Sequence, residues 1–259
     1  MLDQAMRNQT TRHETTLNTT TRNQTTPKKT MLNKKSPNKK MLNTLLIDFD
    51  GVITDTETEV FHRMDAWFHE NTGEGITLDE YRLAAGSWHV KFLHYLKEER
   101  KLAFDPEDFH AFYHSLEDTC LRDLPLMPGV ADWMHSAKAA GCTVAIVSSN
   151  RRATLEGRIR QLGIAPLIDF IIAAEDATEP KPAPDLYLLA LRRAGVRPDE
   201  ALVLEDSANG VSAAAAANIR VIAIPCEVTA NNSFPEAWKQ LSSLADLSFE
   251  DARRAFEAE

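Results

Sequence analysis

A chain of 259 residues with 43% hydrophobic side chains has material for one large α/β domain, or for one domain carrying a sizeable insertion, and is too long to be a peptide-sized module. Its formal charge of −9 is uneven: residues 1–40 hold nine Lys/Arg against two Asp/Glu and the remainder 20 against 36, an acidic body that argues against nucleic acid or anionic membrane as partners. Three widely spaced cysteines without a Cys-x-x-Cys pair, no apolar run near the ~20 residues that span a bilayer, and no apolar secretory core argue against a disulfide scaffold, a zinc site and a membrane span, and fit a reducing cytoplasm.

Residues 1–40 read as a disordered basic, polar extension. Thr, Asn, Gln and Lys dominate, Arg-Asn-Gln-Thr-Thr recurs at 7–11 and 22–26, and Met-Leu-Asn recurs at 31–33 and 41–43. A transit peptide or nucleic-acid-binding arm would share the basic charge, but the segment has no Phe, Tyr or Trp and no amphipathic apolar face. The folded body is expected to begin near Met41.

The first predicted strand, 45–49, runs into Asp48-Phe49-Asp50-Gly51. Side chains alternate along a strand, so Asp48 and Asp50 can face one way and converge where it ends. Such a pair can hold Mg²⁺ together with phosphate oxygens while one carboxylate attacks phosphorus and the other handles a proton. A calcium loop or a solvated turn would also accommodate Asp-x-Asp.

Segments 59–70, 78–85, 90–101 and 106–121 are amphipathic and rich in Phe, Tyr, His and Glu, which predicts a helical bundle inserted after the first strand. Asp55-Thr56-Glu57 and the stretch 124–129 are the expected hinges. Within the insertion, Gly86, Ser87, Trp88 and His89 form the candidate loop that reads a substrate's leaving group, since glycine permits a break between helices and Trp and His can contact a sugar phosphate. Trp88 packed in the bundle's own core is the competing expectation.

Beyond the bundle, strands are predicted at 143–148, 170–173, 201–204 and 220–224, and helices at 129–140, 152–162, 184–194 and 208–217, with Gly141, Gly163 and Gly195 as stops. This alternation implies a Rossmann-like parallel sheet covered on both faces. The second strand ends in Ser148-Ser149-Asn150, where a hydroxyl and the amides of a helix start can bind phosphate, although a plain helix cap reads the same way. Lys181, set between Pro180 and Pro182, is either a cation aimed at Asp48 and a phosphoryl group or part of a Pro-rich turn. The fourth strand ends in Glu205-Asp206-Ser207, where acids meet ligands in open α/β sheets. Asp206 completes the metal's protein ligands, and Glu205 serves as ligand or as support behind them, unless Asp206 or Ser207 only caps the next helix.

The order of these motifs (Asp-x-Asp, Ser, Lys, then acid) resembles that of the haloacid dehalogenase superfamily, in particular its capped phosphatases and β-phosphoglucomutase-like members, over about residues 44–226. The resemblance implies a Rossmann-like core of residues 41–56 and 126–259 and a helical cap of residues 57–125. It implies that Asp48 is a nucleophile forming an aspartyl-phosphate, that Asp50 protonates the leaving alcohol and then activates water, and that Ser148 and Lys181 complete the catalytic set. Mg²⁺ is implied as cofactor, held by Asp48, the Asp50 main-chain carbonyl and Asp206. The expected protein is a cytoplasmic, monomeric phosphatase of small phosphorylated metabolites, sugar phosphates foremost. Asp50 counts against a dehalogenase or a phosphonate hydrolase. A phosphosugar mutase would carry histidine ten residues after the second aspartate, where this chain has Val60 with His62 nearby. A phospho-ligand binding protein of the receiver type would lack both the cap and the acid two residues after its phosphorylated aspartate.

Overall fold

The structure, a computed structural model, describes residues 40–82 and 88–259, so the expected disorder of the extension falls outside it except at Lys40. Thr44–Ile47 (β1) is followed by Thr56–Thr72 (α1), Leu78–Arg82 (α2), Trp88–Glu98 (α3) and Pro106–Thr119 (α4). Helix and strand then alternate through Val130–Ala139 (α5), Thr143–Val147 (β2), Arg152–Gln161 (α6), Phe170–Ile172 (β3), Asp185–Ala194 (α7), Ala201–Glu205 (β4), Ala208–Ala216 (α8) and Arg220–Ala223 (β5). Lys239–Gln240 (β6) and Phe249–Ala258 (α9) complete the fold.

The sheet is parallel throughout, in the order β3-β2-β1-β4-β5-β6. Alternation along each strand sorts side chains into two layers. Leu45, Ile47, Ile146 and Leu204 pack with Trp133, Ile159 and Phe256 on one face, whereas Leu46, Val147 and Val203 pack with Tyr187, Ala190 and Val211 on the other. With both faces covered, the central strands are apolar along Leu45–Ile47, Val144–Val147 and Ala201–Leu204, which is why the sequence shows continuous runs.

β1 lies between β2 and β4, with Ile47 in register with both Ile146 and Leu204. The carboxyl ends of the three strands therefore stop side by side. The chain turns outward in opposite directions from β1, making its edge with β4 the switch point at which open α/β sheets bind ligands.

The inserted helices share an apolar cluster of their own. In α1, Val60, Phe61, Met64 and Phe68 lie on one helical stripe, and they pack with Phe92 of α3 and with Phe109 and Leu116 of α4. Phe68 stacks on Phe109 with ring centroids 5.2 Å apart. Cys226 and Val228, which follow β5, join this cluster and tie it to the sheet's end. Helix α1 begins three residues before the predicted start because the Asp55 side chain accepts the Thr58 N–H at 3.1 Å. The expected turn at Asp55-Thr56-Glu57 is thus an N-cap and the first helical residues.

The five predicted strands and the helices between them all form. β6 and α9 were not anticipated: two residues carry no periodic signal, whereas α9 had a readable one in its Ser248 cap and its buried Phe249, Ala252 and Phe256. Among the described residues no helix is long and apolar enough to cross a membrane. Truncating Phe68, which is fully buried, removes a ring at the centre of the α1–α3–α4 cluster. Phe68→Ala is expected to lower the unfolding free energy by about 3–5 kcal/mol, read by urea denaturation.

Candidate active site

Asp48 directly follows β1, and its N–H donates to the Leu204 carbonyl at 3.0 Å, which carries the strand geometry one residue further. Its carboxylate is buried and accepts from Lys181 Nζ at 2.8 Å. The same ammonium donates to the Val147 carbonyl at 3.0 Å and to Glu205 Oε1 at 2.6 Å. All three Lys181 donors are thereby used, which matches the inventory of an ammonium. The Pro-flanked loop does place this lysine at Asp48, across 133 residues of sequence.

Glu205 is fully buried and holds more than Lys181. Tyr187 Oη donates to its Oε1 at 2.6 Å, and Ser207 Oγ lies 3.3 Å from its Oε2. Ser207 also caps α8 by accepting the Gly210 N–H at 3.0 Å, so the capping role and the site role coexist in one residue. Asp206 is buried beside Cys226, whose thiol points at its Oδ2 from 3.7 Å. One oxygen from each of Asp48, Glu205 and Asp206 falls within 4.8 Å of the others. Gly51, at φ 77°, lies against this cluster, and a Cβ there would overlap the Asp206 carboxylate. Only glycine satisfies both conditions.

The electrostatics follow from this geometry. Burial, then Glu205, push Asp48 up to about 8, with Lys181 opposing. Burial and the neighbouring Glu205 and Asp48 likewise hold Asp206 well above the usual carboxylate range. Lys181 is raised although burial works against its charge, because Asp48 and Glu205 outweigh it. Three buried carboxylates against one ammonium leave a deficit of positive charge, and the all-oxygen donor set suits a hard divalent cation.

Asp50 faces elsewhere. Its Oδ1 accepts from Thr56 Oγ1 at 2.9 Å and lies 3.5 Å from Arg158 Nη1, while its Oδ2 lies 3.5 Å from Ser148 Oγ and 3.3 Å from Asn150 Nδ2. β1 ends before either aspartate, so strand alternation does not dictate that their carboxylates converge. The crowding of carboxylates falls on Asp48 and Asp206.

Ser148 is buried at the end of β2, and Ser149 is exposed. The amides expected to be open at the start of α6 already have acceptors: Asn150 N–H donates to Ser148 Oγ at 3.0 Å, Arg151 N–H to Asn150 Oδ1 at 2.7 Å, and Arg152 N–H to Glu175 at 3.2 Å. Gly86 and Ser87 lie outside the described residues, as do the side chains of Trp88 and His89, whose backbone opens α3. Sequence reasoning did not single out Tyr187, Arg158 or Glu57. Glu57 reaches the site from α1 with Tyr81 Oη 3.4 Å from its Oε2, and burial followed by Asp50 raises it to about 7. Its position two residues after Asp55 was the available signal.

The family model for haloacid dehalogenase-like hydrolases matches residues 45–224. YhcW of Bacillus subtilis is 30% identical over 207 residues, covering 80% of this chain and 94% of its own. The fructose-1-phosphate phosphatase YqaB of Escherichia coli is 31% identical over 185 residues, covering 69% of this chain and 94% of its own. The crystal structure of a CbbY mutant from Rhodobacter sphaeroides in complex with xylulose-(1,5)bisphosphate matches with a TM-score of 0.62 and 29% identity, covering 80% of this chain and 96% of that one.

The raised Asp48 carboxyl has a thermodynamic consequence. Between its ordinary value of 3.8 and about 8 the folded state holds a proton that the unfolded chain releases, so stability falls as pH rises through that window. In chelator, urea denaturation is expected to show lower stability at about pH 8 than at about pH 6, with a shallower slope in Asp48→Asn. An unchanged slope in the variant would place that proton on another group.

Proposed function

The chain belongs to the haloacid dehalogenase-like hydrolase family and is a phosphoric monoester hydrolase, and from that premise we propose that it is a Mg²⁺-dependent phosphatase of small phosphorylated metabolites, with sugar phosphates as the preferred class. One observation carries the reading. The site divides its carboxylates into a buried set gathered around Lys181 and a separate one, Asp50, held by hydroxyl and amide donors.

Asp48 is the nucleophile: an oxygen of its carboxylate attacks phosphorus, the ester P–O bond breaks, and an aspartyl-phosphate forms. Asp50 gives its proton to the departing alkoxide, then takes one from the water that attacks the aspartyl-phosphate and releases inorganic phosphate. Lys181 offsets charge on Asp48 and on the transferring group, as phosphoryl transfer requires. Ser148, at the mouth of the same strand ends, supplies a hydroxyl to a phosphoryl oxygen. Asp48, Asp206 and the Asp50 carbonyl would hold the Mg²⁺, with Glu205 steadying the set through Lys181 and Ser207. When bound, the metal supplies charge neutralisation on the phosphoryl oxygens.

We take residues 57–125 as the cap and the segment around Trp88 and His89 as the part that reads the leaving group. Hydrolysis is favoured over phosphosugar transfer by what occupies the mutase histidine's place. Val60 is buried in the cap's apolar cluster, and His62 is half exposed with Nε2 3.6 Å from Glu227.

Asp48→Asn is expected to stay folded and to lose nearly all turnover of p-nitrophenyl phosphate with Mg²⁺; near-normal turnover would defeat the assignment. Asp50→Asn leaves the nucleophile intact but cannot protonate an alkoxide, which needs that proton far more than p-nitrophenolate does. Rapid-quench measurement should show a burst of aspartyl-phosphate with p-nitrophenyl phosphate and little or none with an alkyl phosphate. Equal suppression with both substrates would remove Asp50 from the acid–base role.

A further inference from the structure

The chemistry above makes no use of Arg158, yet the known contacts of this buried guanidinium converge on one turn. Arg158 lies on α6, and 9% of its side chain is exposed, so it is closed to substrate. Its Nη2 donates to Thr54 Oγ1 at 2.8 Å in a buried bond, its Nη1 is 3.5 Å from Asp50 Oδ1, and its Cζ lies 4.9 Å from the centre of the Phe49 ring. Phe49, Asp50 and Thr54 bracket the turn that leaves β1. Within it, Ile53 N–H donates to the Phe49 carbonyl at 2.9 Å and Gly51 N–H to the Thr54 carbonyl at 2.9 Å.

We propose that Arg158 is a positioning residue for the acid–base carboxylate, fixing the Asp50 side chain through its planar fork to Thr54 and Asp50. This rests on the reading of Asp50 as general acid and base. Thr56 holds Asp50 Oδ1 from the cap helix, and Arg158 approaches the same oxygen from the core helix. Pinned between the two, the carboxyl group keeps Oδ2 on the side of Ser148 and Asn150, at the strand ends where the phosphoryl group is transferred. A guanidinium suits this task because its rigid donor fork spans two acceptors at once, which an ammonium on a flexible stem does not. Its cation–π contact with Phe49 adds a further hold on the guanidinium.

A residue that acts through Asp50 should affect only the steps in which Asp50 moves a proton. In Arg158→Gln, phosphorylation by an alkyl phosphate is expected to slow by about tenfold or more, while the p-nitrophenyl phosphate burst rate and both KM values stay within about twofold. In the Asp50→Asn background the same substitution should add no further loss to the p-nitrophenyl phosphate burst, because its route to the chemistry is already cut. Arg158→Lys, which keeps the cation but not the fork, should recover part of the alkyl rate. Should Arg158→Gln not fold, Thr54→Val removes the buried acceptor and carries the same pair of comparisons. Equal slowing with both substrates, or a further loss in the Asp50→Asn background, would overturn the positioning role and leave Arg158 a structural residue. Asp50→Asn alone failing to discriminate between the leaving groups would instead overturn the reading of Asp50 and the positioning role with it.

Discussion

Burying carboxylates from two adjacent strand ends within 4.8 Å of one another is an electrostatic cost that the fold meets with one ammonium. Lys181 bonds to Asp48, to Glu205 and to the Val147 carbonyl, so a single side chain joins the ends of β1, β4 and β2. Tyr187 reinforces it from α7 by donating to Glu205 while its ring lies 5.1 Å from the Lys181 Nζ. Removing the cation would leave the acids unpaired in a site that water reaches poorly, and such groups take up protons or force the structure to open. Even with the lysine present, burial and Glu205 push Asp48 up to about 8.

The sheet order determines which acids meet. With β1 central and its register matched to β4, the residue after Ile47 and the residues ending β4 arrive together. Two glycines allow the close approach. Gly51 turns the chain beside Asp206, and Gly210 lets α8 start against Glu205, whose carboxylate a Cβ would overlap. The inserted helices are coupled to the same point, since Thr56 of α1 bonds Asp50 and the Cys226–Val228 segment joins their apolar cluster. The geometry of the acid–base candidate is therefore not independent of where α1 begins.

Much of the architecture was legible in the sequence. A run such as Val144–Val147 is apolar at every position because helices cover both faces, and positive-φ glycines at 141, 163 and 195 stop the helices where expected. Asp48, Ser148, Lys181, Glu205 and Asp206 could be picked out because each sits at or just past the end of a strand or in the proline-rich loop after β3, where local pattern and chemistry coincide. The amides of Asn150, Arg151 and Arg152 are harder to read from local pattern. A strand end followed by a helix looks the same whether its donors face a ligand or are already bonded to Ser148, Asn150 and Glu175.

By itself the sequence determined the alternation of strands and helices, the insertion after β1 and the order of the acidic, hydroxyl and basic residues, because each is written in local periodicity and residue type. The tertiary structure decided which of those residues touch. Lys181 and Asp48 are 133 positions apart, Arg158 and Asp50 108, and Tyr187 reaches Glu205 from a helix whose pattern marks that tyrosine only as apolar. Such pairings arise from strand order, register and helix packing, which depend on the whole chain at once, so no short segment can encode them.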